Sequence, residues 1–316
     1  MNIRITKVSV LFLPIAFWVS MLIGFWAIDS PPDGLPPIAS EGLNDVWNFY
    51  LPLLLFTLAT VFFFTRKRKP PTWENFAINK ATLKRDLLLA ITYLTIGHLL
   101  LGGFLDIGLH FPGPDVFQSP DHGMNDVARW VAIQGIVFVI LPCLWLRKQG
   151  FSIRKLIAGI EWKRDIWFMI LFWMGEFISV ALISDFFQVA PSDYLHAIPM
   201  GILVNTIGAG LPVLIMIHLI IIPRLVLLFD NQLLAIMLAG LVYATFSLFD
   251  PGVSYANATV GLSSLFYIFA TQTLIGMGKA TFTVRTGNPI IHFTSYHILG
   301  ARVAFDTAMF AEIFRR

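Results

Sequence analysis

Eight ionisable side chains lie inside long apolar stretches of this sequence. They are His98, Glu176, Asp185, His218, His292, His297, Arg302 and Asp306. An unpaired charge in hydrocarbon costs several kcal/mol, so ionisable residues at such positions are the first candidates for function in a membrane protein. The chemistry open to them is proton carriage, acid and base catalysis, and ligation of a cofactor.

Three of these residues could serve an intramembrane hydrolase. His218, His292 and Glu176 supply two imidazoles and the most deeply placed carboxylate, all of which can take and give protons. Catalysis would require the three side chains to converge on one water-accessible cavity. Glu176 has two other interpretations: a proton carrier that partners a basic group, and a protonated acid hydrogen-bonded within the bundle.

His98 is the candidate cofactor ligand. It lies in the stretch ITYLTIGHLLLGG, whose glycines permit the close approach of a helix or a flat ligand. One interpretation is an axial ligand to haem or to a chlorophyll-type pigment. The other is a neutral histidine hydrogen-bonded to a neighbouring helix. No further cofactor is predicted.

No metal site is predicted. His292 and His297 are five residues apart, and a regular helix therefore leaves their side chains about 140° apart, too far to chelate one ion. The single cysteine, Cys143, can form neither an internal disulfide nor a thiolate cluster. Arg302 and Asp306 are four residues apart on one helix face, and this spacing predicts a structural ion pair.

The composition defines the surroundings of these residues. Of 316 residues, 57% are hydrophobic and 13% are charged, against about 45–50% and about 25% in soluble domains. Too few charged side chains remain to cover a water-facing surface of this size. The composition excludes a soluble enzyme, a nucleic-acid binder and a disordered chain, and it predicts a protein embedded in the lipid bilayer.

Runs of about 20 apolar residues predict transmembrane helices, and nine such runs are present. They lie near residues 8–28, 47–65, 87–105, 130–146, 166–187, 198–222, 232–249, 258–277 and 289–313. The predicted fold class is all-α, a polytopic transmembrane helical bundle. Eight or nine spans are possible, because the last run carries several charges and could lie partly at the interface. No long repeat is present, so residues 1–316 are predicted to form one membrane domain.

Basic residues are confined to alternate loops. The loops at 66–85 and 147–164 hold 13 of the 22 lysines and arginines, whereas the loops at 29–46, 106–128, 188–197 and 250–257 hold none. Because short basic loops stay in the cytoplasm, the N-terminus is predicted to be cytoplasmic. The predicted location is the plasma (cell inner) membrane.

Small residues mark two of the predicted spans. Ala235, Ala239 and Gly240 give the run at 232–249 a surface for close helix contact. Gly208 and Pro212 interrupt the run at 198–222 and predict a kink or an opening there. A polar cavity and simple helix packing are both compatible with that pattern.

Three segments between residues 147 and 300 share a pattern of apolar and turn residues with a known family. They are RKQGFSIRKLIAGIEWKRDIWFMILFW, IIIPRLVLLFDNQLLAIMLAGLVYATFSLFDPG and RTGNPIIHFTSYHIL. In these segments the chain resembles the CAAX-protease and bacteriocin-processing (CPBP) family of intramembrane endopeptidases. The resemblance implies a CPBP-like core at 147–300, preceded by additional spans at 1–146.

The catalytic residues of that family are not matched. Its paired glutamates fall on Val213 and Leu214 and its arginine on His218, and neither valine nor leucine can act as a general base. The two remaining motifs become Phe246-x-x-x-Asp250 and His292-x-x-x-Tyr296, with aspartate replacing histidine and tyrosine replacing asparagine. The resemblance therefore implies a degenerate member, a pseudoprotease without the catalytic glutamate pair.

Three functions remain open at this point. The leading hypothesis is a non-catalytic multi-pass protein that acts as a binding, assembly or accessory subunit through contacts with other integral membrane proteins. The first alternative is an intramembrane endopeptidase with an atypical site. The second is a transporter or a pigment- or haem-binding protein. Transport predicts a continuous polar path through Glu176, Asn205 and His218.

Overall fold

The computed structural model describes residues 7–28, 36–39, 42–73, 76, 78–112, 122–298 and 300–315. Within these ranges all regular secondary structure is helical, and no β-strand is present. The predicted all-α fold class is therefore confirmed for the described residues. The side chain of His297, one of the sequence candidates, lies outside the described part.

We number eleven helices in the described ranges. They are α1 (Lys7–Ala27), α2 (Val46–Thr65), α3 (Leu83–Leu105), α4 (Met124–Lys148), α5 (Ile153–Ala158), α6 (Trp162–Ile183), α7 (Tyr194–Phe229), α8 (Gln232–Phe246), α9 (Ala258–Thr286), α10 (290–298) and α11 (Ala301–Arg315). Short 3-10 turns lie at Pro37–Ala39 and Asp185–Gln188. Each of the nine predicted runs is mainly helical where it is described, although the seventh run ends its helix at Phe246. The eighth extends nine residues beyond its predicted end, and the ninth is divided between α10 and α11.

Six of these helices are long and apolar enough to cross a membrane, namely α2, α3, α4, α6, α7 and α9. Shorter apolar stretches lie in α1 and α8. A multi-pass helical bundle suited to a lipid environment is thus confirmed. The number of crossings, the position of the N-terminus, the identity of the membrane and the single-domain organisation stay predictions.

Several helices contain π-helical turns. These turns lie at Val46–Tyr50, Gly135–Ile140, Thr206–Gly210, Leu214–Ile221 and Phe293–Ile298. A π turn carries more residues than an α turn, so it changes the face on which the following side chains lie. Gly208, in the predicted kink of α7, lies against the ring of Trp130, which is 1.9 Å from the position of a Cβ atom there. The Trp130 side chain therefore packs directly against the α7 backbone at Gly208.

The two basic loops lie at one end of the bundle, which we call the basic end. Arg68 of the first loop donates a 2.5 Å hydrogen bond to Asp165 at the start of α6. Asn288, which follows α9, donates to the same carboxylate at 2.8 Å. A buried ion pair thereby joins the ends of three helices, α2, α6 and α9.

The opposite end of the bundle is joined by the last helix. Arg315 in α11 pairs with Asp193, which immediately precedes α7. Because Asn288 lies at the basic end, residues 288–315 run from one end of the bundle to the other. The hydrogen bond and the charge of Arg315 also lower the pKa of the Asp193 carboxyl.

Helices α8 and α9 pack with their backbones unusually close. A Cβ atom at Gly276 would lie 2.5 Å from the Cβ atom of Tyr243, and one at Gly240 would lie 2.5 Å from the carbonyl oxygen of Thr273. Ala235 and Ala239 are fully buried on the same helix. The predicted small-residue surface for close helix contact is confirmed, and it places Tyr243 directly against α9.

Candidate functional site

Two of the three predicted catalytic residues meet in the middle of the bundle. The rings of His218 and His292 are stacked, with centroids 4.1 Å apart and planes inclined by 16°. Both side chains are fully buried. His218 lies in the second π-helical turn of α7, and His292 immediately precedes the π-helical turn of α10. Tertiary packing has therefore joined residues that are 74 positions apart in the sequence.

The stacked rings are unsuited to holding one metal ion together. Imidazole lone pairs lie in the ring plane, so nearly parallel rings direct them side by side instead of toward a common point. No group of three or more His, Cys, Asp or Glu side chains with metal-binding geometry occurs in the described residues. Nδ1 of His218 lies 2.6 Å from the Thr283 hydroxyl, and the direction of that hydrogen bond depends on the histidine tautomer.

A buried lysine lies one helical turn from Thr283. Nζ of Lys279 donates a 2.5 Å hydrogen bond to the hydroxyl of Tyr243 and lies 4.3 Å from the centroid of the same ring. The residue is only 6% exposed. An ammonium group at this depth needs compensating partners, because its desolvation costs several kcal/mol.

Sequence reasoning missed Lys279 because it ended the eighth span at residue 277. The helix in fact continues to Thr286 and ends at Gly287, which adopts the left-handed conformation with φ of 69°. Glycine at that position is the usual signal for a helix C-terminus. Searching for the terminal glycine, in place of the first charge, would have placed Lys279 inside the span.

Glu176, the third predicted catalytic residue, lies half-buried on α6. Its charge interacts with that of Lys279, as do the charges of Asp250 and Arg302. The charge of Lys279 also acts on His218. Lys279 is therefore within electrostatic range of Glu176, Asp250, Arg302 and His218, and we call its surroundings the polar core. Its members are Glu176, His218, Tyr243, Lys279, Thr283 and His292.

A second polar group, the Arg302 cluster, lies nearer the opposite end. It consists of Asn205, Arg302 and Asp306. Nε of Arg302 donates to Asp306 at 2.9 Å, and Nδ2 of Asn205 donates to the same carboxylate oxygen at 3.0 Å. The predicted Arg302–Asp306 ion pair is confirmed. A further Arg302 hydrogen bond, 3.0 Å long, reaches the carbonyl oxygen of Phe111.

Residues 106–112 bring irregular backbone into the bundle. The carbonyl oxygen of Gly108 accepts hydrogen bonds from Trp130 at 3.0 Å and Gln134 at 2.7 Å. These donors satisfy a peptide group that would otherwise be buried without a partner. A Cβ atom at Gly108 would lie 1.8 Å from the carbonyl oxygen of Phe249, so only glycine permits this approach.

The same segment pairs a histidine with an aspartate. The His110 backbone nitrogen lies 3.1 Å from one Asp250 carboxylate oxygen, and its Nδ1 lies 3.0 Å from the other. Burial alone would raise the pKa of the Asp250 carboxyl, but the charge and hydrogen bonds of His110 hold it below its usual value. Asp250 is therefore an anionic neighbour of Lys279.

His98, the predicted cofactor ligand, is enclosed by aromatic rings. Its ring lies 5.3 Å from Phe246, 5.6 Å from Phe249 and 6.3 Å from Phe138, measured between centroids. Within the described part of the chain, neither ring nitrogen has a hydrogen-bond partner. Nearby Gly102 leaves room for the Phe249 ring, because a Cβ atom at residue 102 would lie 2.0 Å from Cγ of Phe249. Ligation of haem or chlorophyll by His98 stays a prediction.

Apart from the half-buried Glu176, the members of the polar core are at most 6% exposed. The core thus brings together groups that can exchange protons, namely two imidazoles, two hydroxyls, a carboxyl group and a lysine.

Comparisons of the chain with protein-family models, with curated proteins and with solved structures find no match. The resemblance to the CPBP family, based on the segments at 147–300, stays a prediction.

Proposed function

We propose that this membrane protein conducts protons through the polar core, with Lys279 as the central relay group. The main support for the proposal is the central position of Lys279 among charged groups. Lys279 donates a hydrogen bond to Tyr243, and the charges of Glu176, Asp250 and Arg302 act on it. Buried titratable residues that reach one another across a bundle are the usual components of proton relays in pumps and transporters.

The order of the groups along the bundle supports a path. From the basic end, His218 and Thr283 come first, followed by Lys279 and Tyr243 one turn further along α9. The pair of His110 and Asp250 comes next. Lys279 also couples to Arg302, whose partner Asp306 binds Asn205. The charges of Glu176 and Arg302 act on Lys279, and Asn205 binds the partner of Arg302, which supports the proposal without joining Glu176, Asn205 and His218 by direct contacts.

Proton transfer along this path uses the imidazoles, Lys279, Tyr243 and the carboxyl groups, which can accept and release protons, whereas Arg302 and Asn205 contribute only charge and hydrogen bonds. The amine of Lys279 can pass a proton to a neighbour and recover it from the other side, while the Tyr243 hydroxyl and the imidazole of His218 act as donors and acceptors. Asp250 stabilises a positive charge on Lys279. Glu176, half-buried on α6, is positioned to supply or remove protons at the side of the core.

The proposal can be tested in liposomes. We would reconstitute the purified protein into vesicles containing a pH-sensitive dye, impose a potassium diffusion potential and measure the initial rate of acidification. We expect vesicles that contain the wild-type protein to acidify faster than protein-free vesicles. Lys279→Met, which keeps the length of the side chain and removes its charge, should reduce the rate to that of protein-free vesicles.

Lys163→Met is the matched control, because Lys163 is exposed at the basic end and lies outside the core. It should conduct like the wild type. Tyr243→Phe keeps the ring and removes the hydroxyl, so it should also slow the proton flux. It provides a second test if Lys279→Met does not fold. Wild-type flux equal to that of protein-free vesicles would reject the proposal, as would full flux through correctly folded Lys279→Met.

An intramembrane hydrolase is the second candidate, and the observation in its favour is the contact between the rings of His218 and His292. Hydrolysis needs water at these buried rings. Cleavage of membrane-spanning peptides by the wild type, lost in His218→Ala and Glu176→Gln, would favour it over conduction. The accessory-subunit hypothesis stays a prediction, tested by identifying membrane proteins that co-purify in stoichiometric amounts.

A further inference from the structure

A groove opens on the side of the bundle between α3 and α4. Its walls are formed by Leu89, Ala90 and Tyr93 from α3 and by Leu141, Pro142 and Trp145 from α4, and its floor by Met216 and Ile220 from α7. Its volume is about 290 Å³, close to the lower end of the range for small-molecule sites, about 300 Å³. The lining is almost wholly apolar.

The groove is open to the surroundings of the bundle. Leu89 and Leu141 on its two walls are about half exposed, whereas Met216 and Ile220 on the floor are buried. An apolar groove that opens sideways on a transmembrane bundle faces hydrocarbon. A flexible acyl chain fits such a groove better than a polar solute does.

Basic side chains lie at the end of the groove nearest the basic end. Arg85 is four residues before Leu89 on α3, and Lys148 is three residues after Trp145 on α4. Helical spacing therefore places each of them one turn beyond a groove-lining residue, on the same helix face. Both are exposed, and the side chain of Arg85 retains 69% of its accessible surface.

The acidic group at this end is already compensated. Asp86 is buried and accepts hydrogen bonds from Thr82 at 2.7 Å and from Gln149 at 3.3 Å. Gln149 in turn accepts a 2.6 Å hydrogen bond from the buried Arg224. Arg85 also donates a 3.4 Å hydrogen bond to Asp86, but 69% of its side-chain surface stays exposed. Arg85 and the exposed Lys148 therefore both present basic groups at the surface.

We propose that this groove binds an anionic phospholipid, with one acyl chain between α3 and α4 and its phosphate between Arg85 and Lys148. Charge complementarity selects the occupant, because the groove is apolar along its length and basic only where a headgroup of the adjacent leaflet would lie. The inference is independent of the proposed proton conduction.

Tryptophan quenching provides a site-specific test, because Trp145 lines the groove. We would reconstitute the protein with phosphatidylglycerol or phosphatidylcholine carrying the same brominated acyl chains, and take the quenching that is lost in Trp145→Phe as the signal. We expect phosphatidylglycerol to quench Trp145 at lower mole fractions than phosphatidylcholine. A basic residue beside an anionic lipid contributes about fivefold in affinity, so Arg85→Gln with Lys148→Gln should weaken binding about thirtyfold.

The matched control is Lys155→Gln with Lys163→Gln, which removes the same charge from exposed positions on α5 and α6. This variant should keep the preference for phosphatidylglycerol. Equal quenching by the two lipids would overturn the proposal. So would an equal loss in the control variant, because it would show that the whole basic end attracts anionic lipid without a defined site.

Discussion

The helices of this protein form two groups that differ in what covers them. In their most apolar stretches, 72% of α7 and 67% of α9 are buried inside the protein, against 22% of both α2 and α6. Yet α7 is also the most apolar of these helices. In a bilayer, lipid tails and protein interiors are equally apolar. Hydropathy therefore identifies membrane-spanning segments, but it does not distinguish side chains that face lipid from side chains that face the protein interior.

The central helices hold buried polar side chains, whereas the peripheral helices expose large apolar side chains. Lys279, His218 and Asn205 lie on α9 and α7 with 6% exposure or less. The peripheral α2 and α6 instead expose large apolar side chains such as Phe63 and Trp167. Glu176 is the exception: a half-buried carboxylate on the peripheral α6 whose charge acts on the central lysine.

A buried ion pair, Arg68–Asp165, links the peripheral helices α2 and α6 to the end of α9. Breaking this pair should cause the largest loss of stability. Asp165→Ala leaves the Arg68 guanidinium, whose side chain is 6% exposed, without its closest partner, and this should cost about 3 kcal/mol of unfolding free energy. Glu161 also pairs with Arg68, at 3.5 Å, but is 46% exposed. Glu161→Ala should therefore cost less than about 1 kcal/mol.

Unfolding in mixed detergent micelles, followed by tryptophan fluorescence, measures both variants under one condition. Similar losses for the two would contradict the idea that burial of the Arg68–Asp165 pair is what anchors α2 and α6.

Close backbone packing should matter most within the central group. Gly276→Ala places a methyl group 2.5 Å from the Cβ atom of Tyr243, and the resulting overpacking should cost about 2 kcal/mol. Gly175→Ala on α6 is the matched control, because nothing lies within 4 Å of its new methyl group. That variant should be neutral or stabilised by about 0.5–1 kcal/mol, since alanine favours helix over glycine. Equal destabilisation of both variants would remove the distinction between the central and peripheral helices.

A smaller effect of opposite sign is expected at His98. Both ring nitrogens are buried without a hydrogen-bond partner among the described residues, and the surrounding rings are apolar. His98→Leu should therefore stabilise the protein, by about 1 kcal/mol. The same sample tests pigment binding: a coloured wild type that loses its absorption band in His98→Leu would establish His98 as a ligand, and marked destabilisation would show that the ring has an essential polar contact.

The smallest effect should appear in the acid dependence of stability. Because His110 lowers the folded-state pKa of Asp250, ionised Asp250 stabilises the fold at pH values above its unfolded pKa, about 3.9. That contribution should fade as the pH falls below about 4 and through the lower folded-state pKa. Asp250→Asn should therefore be less stable than the wild type at neutral pH, and the gap should narrow in acid. A gap that widened on acidification would show that the pKa shift has the opposite sign.

Sequence alone located most of the helices and some of their local contacts, although it ended the eighth helix nine residues early and did not divide the ninth run. The length of an apolar run and the helical spacing of four residues are short-range properties, and they located the nine helical runs and the Arg302–Asp306 pair. The small-residue face of α8 was equally visible, because the repeat that brings Ala235 and Ala239 onto one side is local.

Only the tertiary structure decided which polar residues meet. His218 and Thr283 are 65 residues apart, and Lys279 and Tyr243 are 36 apart. Their contacts depend on the π-helical turns of α7, which change the face that His218 presents, and on the close approach of α8 to α9 through Gly240 and Gly276. These features arise from packing between helices, so no local pattern of hydropathy or spacing contains them.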